Sequence, residues 1–173
     1  MIYLKIGGYM EYEEQFLKII NPIITHEEYL KRKNYMHHEN LSVYDHSMIV
    51  AYKSYKFAKK HNMDIESITI GAILHDFYYK PWQENKEKKK FFEMHGFVHA
   101  KEALENSKIY FPTHLNPKIE DIILKHMFPL NIALPKYKES WVVTCMDKIS
   151  SLDVLKHPKE YPKYLGLSRK KRK

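Results

Sequence analysis

Apolar residues recur at helical spacing along nearly the whole chain, and several of these faces carry a histidine or an aspartate. The stripe His46, Val50, Ser54, Phe57 steps by four, four and three, which is one side of an α-helix. Ile119, Ile122, Ile123 and His126 make a second such side, at i, i+3, i+4 and i+7. Asp147 lies with Val143, Met146 and Ser150, and His99 with Ala103 and Asn106. The run "ITIGAIL" leads directly into His75-Asp76. A chain patterned in this way is all-α, and it carries ionisable groups toward its own core.

The punctuation supports that reading. "EYEEQFLKII" is a short amphipathic segment that Asn21-Pro22 should end, and Thr25 with Glu28 reads as a capping box for a second helix. "HHENLS" reads as a loop. A helix free of Gly and Pro is expected from Val43 to His61, and Asp64 reads as the N-cap of the next. "KPWQENKEKKK" reads as an exposed loop broken by Pro81. Further helices are expected over Phe97–Tyr110, from Asn116-Pro117 to Met127, and over Glu139–Leu155. The expected architecture is a compact all-α bundle of roughly seven helices. It forms one domain over residues 10–160, with an N-terminal extension at 1–9 and a basic tail at 161–173.

Composition removes several alternatives. At 173 residues with 44% hydrophobic content the chain can bury a substantial core. No apolar run approaches the ~18 residues of a membrane span, and "MIYLKIGGYM" lacks the features of a signal peptide. One cysteine, Cys145, excludes an internal disulfide, suits a reducing, cytoplasmic setting, and reads as core rather than catalytic. Five of the eight excess positive charges fall in Arg169–Lys173, which reads as a solvated tail rather than a nucleic-acid contact. The remaining body is mildly basic and permits an anionic substrate.

Buried charge is costly unless it is paired or bound to metal. One histidine on an apolar face is ordinarily a hydrogen-bonded core residue. Several such faces converging are better explained together, by a shared metal cluster.

The order and spacing of His46, then His75-Asp76 after 29 residues, then Asp147, resembles the signature of the HD superfamily of metal-dependent phosphohydrolases. "SVYDHSMIVAYKSYKFAKK" and "GAILHDF" are similar to the first half of many bacterial HD domains. "HGFVHAKEALENS" and "IILKHMFPL" are similar to the middle of a small single-domain branch. The resemblance spans about residues 37–150 and implies an HD-domain-like fold.

It implies that His46, His75, Asp76 and Asp147 hold one divalent transition metal: Fe, Mn, Co, Ni or Zn. Two-metal branches add two histidines and share the paired aspartate. Here His126 is one, and His99 is the preferred other, with His95 as its alternative. The implied activity is hydrolysis of a small phosphate ester or anhydride, such as a nucleotide, by a metal-activated hydroxide with no protein nucleophile. His75 and Asp76 would stand at that centre. Lys80, His95 and Lys148 are candidate substrate contacts, and Tyr78, Tyr79 and Trp82 candidate stacking groups for a base. Where the family often has Lys three positions after the paired Asp, this chain has Tyr79, with Lys80 one later. The alternatives are a two-metal dinucleotide phosphodiesterase and a non-catalytic HD module that binds a nucleotide or a protein partner.

Overall fold

A computed structural model describes residues 12–38, 41–79 and 95–156. Among them are seven α-helices: α1 (Glu14–Ile24), α2 (Glu27–Leu30), α3 (Val43–Lys60), α4 (Ile65–Leu74), α5 (His95–Tyr110), α6 (Pro117–Lys125) and α7 (Lys138–Lys156). The all-α expectation holds. The extension at 1–9, the tail at 161–173, Lys80 and Trp82 lie outside the described residues, as does the side chain of His95. No described helix is long and apolar enough to cross a membrane.

Side-chain caps set the starts of α3, α4 and α6. Ser42 Oγ accepts from Asp45 N at 3.1 Å and donates to Asp45 Oδ2 at 2.6 Å, which starts α3. Asp64 accepts from Ser67 N at 3.0 Å and starts α4. Asn116 accepts from Lys118 N and Ile119 N ahead of Pro117, so α6 begins where its sequence indicates.

Three local expectations are corrected. Asn21-Pro22 does not end α1, which runs through Pro22 to Ile24. An internal proline costs about 3 kcal/mol. Burying Ile23 and Ile24 beyond it returns about 1.5–3 kcal/mol each, so tertiary packing wins. Thr25 is not the N-cap of α2: its hydroxyl donates to Asn21 O at 2.7 Å and closes α1 instead. His26 caps α2, its Nδ1 accepting from Glu28 N at 3.2 Å. Within the segment expected as a loop, Met36–His38 pairs antiparallel with Leu41–Ser42. Strands of three and two residues are too short to show alternation in sequence.

The core is built around α4, whose residues Ser67–Leu74 are all buried. It packs on α1, α3, α6 and α7, against Phe16, Ile20, Val50, Ile119, Ile122 and Val143 among others. Gly71 permits the close approach of α6, since a Cβ there would meet Ile122 Cβ at 2.8 Å and Cγ2 at 2.7 Å. This crossing brings the C-terminal ends of α4 and α6 side by side. Cys145 is exposed on α7, not in the core: its helix turns the neighbouring Val143 and Thr144 inward and leaves position 145 outside.

Candidate metal centre

His75 is the C-cap of α4 and His126 the C-cap of α6. α4 is apolar and α6 buries an apolar face of Ile119, Ile122 and Ile123, so each delivers the residue at its end to the interior. Both are fully buried, as is His46 on α3. Asp147 enters from α7 and His99 from α5. Six side chains that are scattered over 102 positions of sequence thus meet in one place.

Their contacts fall on two sides of Asp76. Its Oδ2 lies 3.4 Å from His75 Nε2 and 4.0 Å from His46 Nε2. Its Oδ1 lies 3.3 Å from His99 Nε2 and 3.5 Å from His126 Nε2. On the first side Asp147 Oδ1 stands 3.0 Å from His46 Nε2 and 3.8 Å from His75 Nε2. On the second, His99 and His126 face each other with Nε2 atoms 3.1 Å apart. Two donor groups have atoms all within 4.8 Å of one another: His46, His75 and Asp147, and His75, Asp76 and His126.

The donor chemistry fits a cation. His75 Nδ1 donates to Ala72 O at 2.7 Å, and His126 Nδ1 donates to Ile123 O at 2.7 Å. A carbonyl only accepts, so Nδ1 keeps its proton and Nε2 is turned to the cluster, the arrangement that orients a ligating histidine. His75 Nε2 is buried and makes no hydrogen bond.

The charges agree with this. Burial would raise the Asp76 carboxyl, but His75, His126 and His99 outweigh it and hold it well below the usual carboxylate range. Asp147 is held down in the same way, against its burial, by His46 and His75. Burial works against a charged His75, yet Asp76 and Asp147 push it up to about 9. His126 is moved the other way, downward, chiefly by burial. Two ionised carboxylates in a low-dielectric site therefore demand positive charge, from a proton on His75 or from a metal cation in its place.

Of the other sequence candidates, Lys148 is half-buried, and its Nζ donates to His126 O at 3.1 Å, with Thr144 O at 3.5 Å. It fastens α7 to the end of α6. Tyr78 is buried with its ring 5.2 Å from that of His99. Tyr79 turns away from the cluster and donates its hydroxyl proton to Glu28 at 2.9 Å. Tyr29, Arg32 and Glu102, which no motif marks, bind the backbone around His75-Asp76. Arg32 lies in the polar run "KRKN", which carries no sign of burial.

Neither the curated proteins nor the solved structures gave a match to the chain. The family model for the HD domain matches residues 43–152, a span that includes all six clustered side chains. That match, with an all-α fold and a buried His/Asp cluster built on the His75-Asp76 pair, establishes that the chain belongs to the HD-domain family.

Proposed function

We propose that the protein is a metal-dependent phosphohydrolase acting on a small phosphate ester or anhydride, with nucleotides as the substrate class. The single observation that carries the reading is the position of Asp76, one oxygen toward His46 and His75 and the other toward His99 and His126. A carboxylate with different donors on each oxygen is suited to lie between two cations. In this reading His46, His75 and Asp147 would hold one ion and His99 and His126 the other, with Asp76 available to both.

Divalent ions in such a site polarise phosphoryl oxygens and lower the pKa of bound water from ~15.7 to about 7. The chain's own part is to turn the Nε2 atoms of His75 and His126 to the cluster, fix their tautomers through the Ala72 and Ile123 carbonyls, and exclude bulk water by burial. No hydroxyl or thiol nucleophile is needed, and the exposed Cys145 has no part in it. Lys148, one residue past Asp147, stands ready as a cationic contact for a phosphoryl group if its hydrogen bond to His126 O is exchanged.

The test is elemental analysis after anaerobic reconstitution with Fe, Mn, Co, Ni and Zn in turn. It is followed by phosphate release from nucleoside mono-, di- and triphosphates and dinucleotides. Two ions per chain and a hydrolysis lost in Asp76→Asn are expected. One ion per chain would end the two-ion assignment. Metal binding without turnover of any phosphate compound would leave the non-catalytic module as the better description.

A further inference from the structure

The pair His75-Asp76 is held by more than its own helix. Tyr29 Oη donates to Ile73 O at 2.8 Å, and Asn106 Nδ2 donates to Phe77 O at 2.9 Å. Glu102 Oε1 accepts from Tyr79 N at 3.0 Å. Between these anchors, Tyr78 N bonds back to Asp76 O at 2.9 Å, so Asp76–Tyr78 is one tight turn. The carbonyl of the turn's last residue, Tyr78 O, accepts from Arg32 Nη1.

Arg32 is an unusual residue to find there. It is 0% exposed, the largest of the fully buried side chains. Its guanidinium is enclosed by three rings, with Cζ 4.5 Å from the centroid of Tyr79, 4.8 Å from Tyr35 and 5.1 Å from Phe77. The ring faces give a cation partial compensation. Yet Nε and Nη2 are buried without a hydrogen-bond partner. A guanidinium with unsatisfied donors is a poor way to stabilise a core, and an apolar group of similar size often does better. Among the described residues, its guanidinium hydrogen-bonds to one group, a backbone carbonyl two residues from Asp76.

We propose that Arg32 is a positioning residue of the metal centre: it clamps the Tyr78 carbonyl and so sets the aim of the Asp76 carboxylate between its two groups of histidines. The assignment rests on the metal-site reading above. It places the role in the Nη1 bond of a planar guanidinium held rigid by its aromatic enclosure, an arrangement that an ammonium does not reproduce.

The experiment compares wild type, Arg32→Met and Arg32→Lys by Co2+ titration, read through the visible absorption of the bound ion, beside thermal denaturation of the metal-free proteins. Arg32→Met should keep the metal-free melting temperature or raise it. It should weaken Co2+ binding by ~10–100-fold, the range for residues that orient ligands, and change the absorption band. Arg32→Lys, which keeps the charge and one donor, should recover part of the affinity. Unchanged affinity and spectrum in either folded variant would overturn the proposal while leaving the metal site intact. Should Arg32→Met fail to fold, Arg32→Lys decides by the same two readouts. Failure of the wild type to take up Co2+ at all would defeat the metal-site reading itself, and the proposal with it.

Discussion

His46 Nε2 lies 3.0 Å from Asp147 Oδ1, joining α3 to α7 across 101 residues of chain. Neither residue has a reason to be buried alone, and His46 helps to hold the Asp147 carboxyl ionised. The same logic runs through the cluster, where both oxygens of Asp76 and Oδ1 of Asp147 are met by imidazole nitrogens. The contacts are longer on either side of Asp76, at 3.3–4.0 Å, which leaves the carboxylate surrounded but not saturated.

Asp76 is the residue whose loss should cost most. Asp76→Asn keeps the size and removes the charge that both groups of histidines face. Metal content should fall below one ion per chain, and hydrolysis by at least ~100-fold, the order seen when preorganised charge stabilisation is removed. Elemental analysis and phosphate release check both. Full metal content in a folded Asp76→Asn would sink the shared-carboxylate assignment.

The two sides of the cluster should separate by mutation. His126→Ala removes a donor from the Oδ1 side and leaves His46, His75 and Asp147 in place. Bound metal should drop from two ions to one, whereas His46→Ala should affect the other ion. Stoichiometry by elemental analysis decides, and an unchanged count in His126→Ala means that side holds no ion.

Metal should stabilise the fold. Ligand at 100 times its dissociation constant adds about 2.7 kcal/mol to unfolding free energy. For a chain of 173 residues that amounts to a rise of roughly 5–10 °C in Tm. Thermal scans with Mn2+ and with chelator measure it, and coincident curves would count against binding to the folded state.

Gly71→Ala tests the helix crossing that brings His75 beside His126. The new Cβ would meet Ile122 Cβ at 2.8 Å, a branch point that cannot rotate away. Overpacking of this kind costs about 1–3 kcal/mol, against a gain of ~1 kcal/mol in helix propensity. Net destabilisation is expected in urea unfolding, together with weaker metal binding as α4 and α6 part. A more stable variant would show that the crossing has slack.

A pH-dependent contribution should come from the other end of the molecule. Glu13 binds Lys56 at 2.6 Å and also Lys59, and these hold its carboxyl down at about 2, against an ordinary 4.5. A depressed carboxyl stabilises the fold above its unfolded value and loses that contribution as pH falls through the folded one. The pair is partly exposed, so the stabilisation is held to ~0.5–1 kcal/mol. Glu13→Gln should therefore be less stable by that amount at pH 7, with the gap closing between pH 5 and 2. A difference that persists undiminished at pH 2 would assign it to packing instead.

Much of this could be read before any coordinates. The faces of His46, His126 and Asp147 were legible because helical periodicity and caps such as Asp64 and Asn116 are local signals. The run through Pro22 was not, since Ile23 and Ile24 are secured by the core they meet rather than by their neighbours in sequence. Cys145 was misplaced for a related reason: a small apolar residue inside a helix fits either side until its partners are known.

The sequence alone determined the all-α class, the family pattern and the residues able to ligate a metal, because spacing along a helix fixes which side chains share a face. The tertiary structure brings the ionisable groups of five helices together around Asp76, with its oxygens facing different histidines. It alone decided that Arg32, in a polar run, is buried against the carbonyl beside that aspartate. These are contacts across tens of residues, set by how helices cross and what each crossing excludes, and no local pattern encodes them.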